Sequence, residues 1–141
     1  MTPIEAKDEM CGIVKAALPT DFILEFEDAV RDGSNSEPPS GVTWGRVTIR
    51  HADGGQASLT GPLEGLKRYD REGTLHFQVF TPRGDGGTAA YDVADTVAKA
   101  LEQAKLPCLW FRNVRLQDIT KQSGAFYQVK VLATFQYDTV R

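Results

Sequence analysis

The stretch at residues 126–138, FYQVKVLATFQYD, carries the clearest strand pattern in the chain. Apolar and aromatic residues occupy every second position, as they do in a strand that buries one face. That face consists of Tyr127, Val129, Val131, Ala133, Phe135 and Tyr137. The residues between them include Gln128, Lys130, Thr134 and Gln136. The pattern predicts a long strand that is covered on one side and open on the other.

Four further segments upstream have strand character, at residues 21–27, 42–51, 74–81 and 109–119. In the last of these, Phe111 and Val114 break strict alternation, which predicts a bulge near Asn113. Two helices are also predicted. Thr2 and Glu5 form a capping box that opens a helix ending before Pro19, and an amphipathic pattern spans residues 88–104.

The predicted order is therefore α-β-β-β-α-β-β. Strands that follow one another through short turns favour antiparallel pairing, and two amphipathic helices can cover one sheet face. We predict an α/β protein of the α+β type, with a mixed, mostly antiparallel sheet of about five strands packed against two helices. A length of 141 residues suits a single domain over residues 1–141. Turn-forming and glycine-rich sequence predicts flexible loops at about residues 31–41 and 52–71.

The formal net charge of −3 argues against a dedicated nucleic-acid-binding protein, which usually needs a basic surface. DNA could still pass through a channel that such a protein lines, because like charges do not adhere. No apolar run approaches the roughly 18 residues of a membrane helix. The acidic N-terminal stretch MTPIEAKDEM is unlike a secretory signal, so we expect no membrane association and a cytoplasmic protein.

The sequence offers few residues for chemistry. His51 and His76 fall on different predicted strands, and Cys11 and Cys108 lie far apart without zinc-ligand spacing. There is no Gly-x-Ser-x-Gly elbow, and the glycine-rich turn at residues 84–87 lacks a P-loop lysine. A distant Cys–His pair stays open as an alternative. We otherwise predict no catalytic site, no metal and no cofactor, and hence no enzyme.

What remains is a set of charged and aromatic side chains that suit contact with other proteins. Arginine forms bidentate pairs with carboxylates, and aromatic and arginine side chains are enriched at interfaces. The candidate interface residues are Trp44, Arg46, Arg50, Arg68 and Arg83, together with the acidic Glu25, Glu27 and Asp28. We expect the acidic group to be solvated or interfacial, since alternation places Glu25 and Glu27 on one face.

Several short motifs resemble one known family. These are WGRVTI at 44–49, YDREGTLHFQVFTPRG at 69–84, a helix containing Ala94-Asp95, YQVKV at 127–131 and FQYD at 135–138. Together they resemble a family of small phage and prophage proteins that includes the tail terminator of phage lambda, over roughly residues 20–140. None of these motifs is a catalytic signature.

The resemblance implies a mixed α/β protein that assembles as a homo-hexameric ring on the last ring of tail-tube protein. Such a ring stops tube polymerisation and offers a joining surface to the head–tail connector protein, without a cofactor or a reaction. It implies assembly in the host cytoplasm and a place in the virion tail. A closed ring needs a heterologous interface between two different patches. The arginine-bearing strand face and the Glu25–Asp28 region are one hypothesis for those patches.

Two alternatives remain at this point. The first is another phage head-completion or minor tail component, which would share this size and composition. The second belongs to a different class, a small ligand-binding α/β domain or enzyme, which would need a concave pocket with convergent polar groups.

Overall fold

The computed structural model describes residues 1–26, 42–56, 67–82, 87–118 and 126–140. Within them the chain forms two helices and five strands in the predicted order. The elements are α1 (Pro3–Ala17), β1 (Ile23–Phe26), β2 (Trp44–Gln56), β3 (Arg68–Pro82), α2 (Thr88–Gln103), β4 (Leu109–Asp118) and β5 (Phe126–Val140). The predicted α+β class is confirmed.

The five strands form one mixed sheet in the order β1-β2-β3-β5-β4. The β1 and β2 strands run parallel, and all other neighbours are antiparallel. The long strands β3 and β5 pair along their whole lengths at the centre. Among the described strands, β1 and β4 therefore lie at opposite edges.

Both helices pack on the same face of the sheet, which we call the helix face. α1 contributes Ala6, Met10 and Val14 to the core. α2 contributes Ala90, Ala94, Val97, Ala98 and Leu101. The sheet contributes the alternating residues that were predicted for β5, together with Leu75, Phe77 and Val79 from β3. Because burying one large apolar side chain stabilises a fold by about 1.5–3 kcal/mol, this layer holds the structure together.

The first helix is fixed at its N-terminal end. Thr2 accepts a hydrogen bond from the Glu5 backbone N–H, and the Glu5 carboxylate accepts one from the Thr2 N–H, so the predicted capping box is present. The N-terminal amine of Met1 donates to the carbonyl of Asp138 at 3.1 Å, and the hydroxyl of Thr139 donates to the carbonyl of Met1 at 2.8 Å. These bonds tie the start of α1 to the end of β5.

The predicted bulge in β4 is confirmed. The pairing of β4 with β5 shifts register between Arg112 and Arg115, and Asn113 adopts a left-handed backbone with φ of 53°. Asparagine tolerates this conformation better than most residues because its short amide can bond locally. The shift restores the alternation that Phe111 and Val114 break.

The prediction of a loop over residues 52–71 is wrong at both ends of this range. Residues 52–56 continue β2 and residues 68–71 continue β3, with Gly54 opposite Arg71 and Gly55 opposite Asp70. Strand pairing uses backbone groups, so glycines that lack a side chain still complete the ladder. A register shift between His51 and Asp53 absorbs the irregularity. Residues 57–66 and the loop predicted at 31–41 lie outside the described residues.

Candidate protein interface on the outer face of the sheet

The sheet face opposite the helices, here called the outer face, is polar and partly open to solvent. Cross-strand register defines its rows. One row runs through Arg46, Gln78, Lys130 and Gln117, the next through Thr48, His76, Leu132 and Arg115, and a third through Arg50, Thr74, Thr134 and Arg112. These rows place cations on three strands, β2, β5 and β4, across the outer face.

An aromatic stack occupies one end of the outer face. The rings of Trp44 and Phe80 lie 4.1 Å apart and nearly parallel, and both residues are buried, at 5% and 7% exposure. The guanidinium carbon of Arg46 lies 5.3 Å from the Trp44 ring centroid and 5.7 Å from that of Phe80. A cation over an aromatic face is attracted by the ring quadrupole, so the stack holds Arg46 in place.

Arg46 also pairs with a carboxylate on the neighbouring strand. Its Nη2 lies 3.4 Å from Oε2 of Glu25, which is its register partner on β1. Such a partly exposed pair contributes little to stability, on the order of 0–1 kcal/mol. Its main effect is geometric, because it fixes the direction of a guanidinium that is itself exposed.

The middle of the outer face is electropositive. The pKa of His76 lies below its usual value of 6.5, first because burial disfavours the charged ring and then because Lys130, Arg50 and Arg115 repel a further positive charge. The lowered pKa keeps the ring neutral near neutral pH. The three cations reach across β2, β5 and β4, so they form one basic cluster in a protein whose net charge is negative.

Acidic residues frame this cluster. The Arg112 guanidinium donates to the Glu72 carboxylate across the sheet, and Arg68 lies 3.7 Å from Asp138 at the far end. The pKa of Asp138 is raised, first by partial burial and then by a hydrogen bond with Asp70. Charge is therefore graded along the outer face, from the basic middle to the acidic end.

The structure brings together three of the residues predicted from sequence. Trp44, Arg46 and Glu25 contact or pair with one another at the β1 side of the outer face. Arg50 lies on the same face of β2, two rows from Arg46. Arg68 is the first residue of β3 and lies at the other end of the outer face, near Asp138. Predicted interface residues Glu27, Asp28 and Arg83 lie outside the described residues.

This arrangement changes the hypothesis about two complementary patches. Glu25 and Arg46 were expected to represent different patches that meet across a subunit boundary, but they are neighbours in one subunit. Parallel pairing of β1 with β2 sets them side by side, a relation that the spacing of 21 residues does not reveal. Glu25 and Arg46 therefore belong to one patch of the outer face.

Sequence reasoning missed five residues of the outer face. They are Phe80, His76, Lys130, Arg112 and Arg115. Alternation in β5 had placed Lys130 on the exposed side, so the signal for this residue was present. The sequence did not reveal that β5 lies between β3 and β4. This strand order brings Lys130 of β5 next to Arg115 of β4.

Two open cavities on the helix face lie beside α1, one along its N-terminal half and the other along its C-terminal half. One has a volume of about 350 Å³ and is lined by Cys11, His51, Ile49 and neighbours, and the other, about 460 Å³, is lined by Leu18, Phe22, Leu24 and neighbours. Phe26 lines both.

Cys11 and His51 thus line the same cavity, which bears on the Cys–His alternative. Burial first, and then Asp8, raise the pKa of the Cys11 thiol above its usual value, with Lys7 opposing them. The thiol form therefore predominates at neutral pH, whereas a nucleophile needs the thiolate. The His51 ring instead shares a 2.7 Å hydrogen bond with the hydroxyl of buried Tyr137, which gives the histidine a structural partner.

Within the described ranges, no three histidine, cysteine or acidic side chains gather as a metal site would require. In the same part of the chain, neither helix has the length and hydrophobicity to span a bilayer.

The fold defines a class, an α+β protein with two helices on one face of an open mixed sheet. No protein-family model matches the chain. A search of curated proteins also finds no match. Eighteen chains of known structure match it. One of them, from a protein whose name states no function, aligns with a TM-score of 0.59 at 17% identity, covering 94% of this chain and 91% of that chain. At this identity the likeness concerns the fold alone.

Proposed function

We propose that this protein is a structural tail terminator of a phage or prophage, which forms a ring on the end of the tail tube. The ring stops tube polymerisation and provides the surface for joining to the head connector, and the protein catalyses no reaction. Its partners are further copies of itself, the tail-tube protein and the connector protein. It acts in the host cytoplasm during assembly and afterwards as part of the virion tail.

The observation that carries this proposal is the composition of the outer face. A broad sheet surface on which neither described helix packs displays arginines held in fixed directions by an aromatic stack and by carboxylates. Pre-positioned arginines and aromatic side chains suit a protein partner, since little conformational entropy is then lost on binding. The family resemblance of the short motifs, most of which lie on β2, β3 and β5, supplies the identity of that partner.

Charge reversal on the outer face tests the proposal. Arg50→Glu changes an exposed arginine within the basic cluster, and Lys99→Glu is the matched control on the exposed side of α2, where Lys99 forms a helical pair with Asp95. We expect Arg50→Glu to reduce capping of tail tubes while Lys99→Glu caps normally. Native mass spectrometry of each chain, alone and mixed with its tail-tube protein, gives the readout. Equal capping by both variants would contradict the proposal.

Electron microscopy separates this role from that of another head-completion or minor tail component. A terminator must appear at the head-proximal end of isolated tube polymers. A protein seen on the portal side, in heads that lack tails, would support the alternative.

A second candidate function, binding of a small apolar ligand, has one observation in its favour. Both cavities beside α1 fall within the volume range of roughly 300–1,000 Å³ that is typical of ligand sites. Their lining is mainly aliphatic and aromatic, as such a ligand would need. A thermal-shift screen with apolar metabolites tests this candidate, which predicts a concentration-dependent rise in Tm.

A further inference from the structure

We propose that the basic cluster of Lys130, Arg50 and Arg115 on the outer face binds a carboxylate-rich surface of a partner protein. The inference rests on the proposed function, under which that partner is the tail-tube protein. It adds the chemistry of the contact, and it concerns a different protein rather than a second copy of this chain.

The basic cluster is compact and surrounds a single ring, that of His76. Arg115 shares the row of His76 across the sheet, while Arg50 on β2 and Lys130 on β5 each lie one row away. Rows on one face are about 7 Å apart along a strand, and neighbouring strands are about 4.8 Å apart. The cluster therefore covers roughly 14 Å by 14 Å, an area that a few carboxylates of a folded protein can match.

Two cations of the cluster have no acidic partner among the residues that the structure describes. No carboxylate there pairs with Lys130 or with exposed Arg115, whose guanidinium donates to the backbone carbonyl of Asn113 at 2.9 Å. Leu132, the register partner of Arg115, is only 7% exposed on the same face. A cation beside such a water-poor surface gains more from an incoming carboxylate than a cation in open water does.

The outer face already uses carboxylates to hold its other arginines. Arg46 pairs with Glu25 at 3.4 Å, and Arg112 donates to Glu72 across the sheet. The planar guanidinium fork matches the two oxygens of a carboxylate, which makes this the preferred anion for such side chains. A partner that brings further carboxylates extends the same pattern over the basic cluster.

The acids that frame the cluster favour a protein over a nucleic acid. Glu72 lies one row beyond Arg50 and Arg112, and Asp70 and Asp138 lie opposite each other one row further. A nucleic acid carries negative charge along its whole length, about one charge per 1.7 Å of duplex, so it would run onto these carboxylates. A protein can instead place acids over the cluster and cations over its acidic rim, which makes the two surfaces complementary.

His76 should report the arrival of carboxylates. Burial first, and then the three cations, hold the pKa of His76 below its usual value, and incoming carboxylates offset the cations and raise that pKa. Its neutral register neighbours are Thr48 and Leu132, and Arg46, one row away on β2, is paired with Glu25. Because binding then favours the protonated ring, affinity should rise as the pH falls from about 8 to 6, and His76→Gln should remove this dependence.

The first experiment titrates the full-length chain with an end-blocked hexaglutamate peptide at low ionic strength. Lys130→Gln and Arg115→Gln should each weaken binding by about fivefold. Lys99→Gln, the same chemical change on α2 as Lys130→Gln, should bind like the wild type. Circular dichroism establishes that the variants are folded. By NMR, the ring resonances of His76 should shift with peptide at fixed pH, whereas those of His51, which is bonded to Tyr137, should not.

The second experiment uses the purified tail-tube protein and a water-soluble carbodiimide. This reagent joins an amine to a carboxylate as an amide and takes up the released water as a urea, so it links only groups in direct contact. Mass spectrometry of the digested products should find Lys130 joined to an aspartate or glutamate of the tail-tube protein. Arg115→Gln should reduce the yield of this link, and Lys99→Gln should leave it unchanged.

The inference is overturned if the peptide does not bind, if Lys130→Gln and Arg115→Gln bind it as well as the wild type, or if a hexathymidylate binds more tightly than the peptide. A link from Lys130 to a carboxylate of a second copy of this chain would also overturn it. Failure of the proposed function looks different, since the peptide then binds at the cluster and shifts His76 while tail tubes stay uncapped and unlinked.

Discussion

Replacing Gly73 with alanine should destabilise the protein strongly, because β2 approaches β3 closely at this position. A Cβ atom built on Gly73 lies 2.1 Å from the carbonyl oxygen of Arg50, 2.6 Å from Cζ of Phe135 and 2.9 Å from the Cα of His51. Two of these three atoms belong to the backbone and cannot rotate away. The strands must therefore separate next to the register shift that follows His51.

The magnitude follows from the cost of overpacking. Forcing an extra carbon into a packed site typically costs about 1–3 kcal/mol, and a clash with backbone belongs at the upper end. Loss of glycine's freedom in the unfolded chain offsets this by about 0.4–1 kcal/mol. We expect Gly73→Ala to lower the free energy of unfolding by about 2 kcal/mol, or Tm by about 4–8 °C in a chain of this size.

Gly12→Ala is the matched control, since it makes the same chemical change in the middle of α1. A Cβ there meets no atom within 4 Å. Alanine is favoured over glycine inside a helix by about 0.8–1 kcal/mol, so this variant should be stabilised. Urea unfolding at low protein concentration, followed by circular dichroism, measures both. If the Gly73→Ala variant has the same free energy of unfolding as the wild type, the close approach of β2 and β3 is refuted.

Three further predictions concern single side chains. Thr2→Ala removes the capping box of α1 and should cost about 1 kcal/mol in urea unfolding, whereas Thr2→Ser should cost little. Asn113→Val should cost on the order of 1–2 kcal/mol because a β-branched residue resists the left-handed backbone, while Asn113→Gly should fold normally; equal stability of the two would contradict the bulge geometry. The lowered pKa of His76 means that the unfolded chain binds this proton more readily, so stability should fall as the pH drops below about 6.5. In His76→Gln, unfolding between pH 5 and pH 7.5 should show a weaker dependence on pH, and an unchanged dependence would contradict the electropositive setting of this ring.

The elements of the fold were predictable because their signals are local. A capping box, a proline stop and strict alternation each depend on neighbours within a few residues, and they located α1, α2 and β5 well. The bulge near Asn113 also left a local trace. Glycines at the end of β2 and the start of β3 suggested a loop instead, because their pairing depends on a partner strand and leaves no alternation in the sequence.

The candidate interface was harder to predict because it is assembled across strands. Trp44, Arg46 and Arg50 share one strand, so alternation was enough to group them. Lys130 and Arg115 join them only through the sheet order, and Glu25 joins Arg46 only through parallel pairing. Both relations are tertiary, and a single sequence carries no periodic signal for either.

The position of β5 has a consequence for the order of events during synthesis. Of the described strands it is the last to leave the ribosome, yet it lies between β3 and β4, which both precede it. Until it emerges, β3 lacks its longest neighbour and β4 has no described strand to pair with. Until then, the unpaired edges of these strands and part of their apolar surface are exposed to solvent. Such exposure makes incompletely folded chains prone to aggregation. Among the described strands, β4 can therefore join the sheet only after β5 has been synthesised.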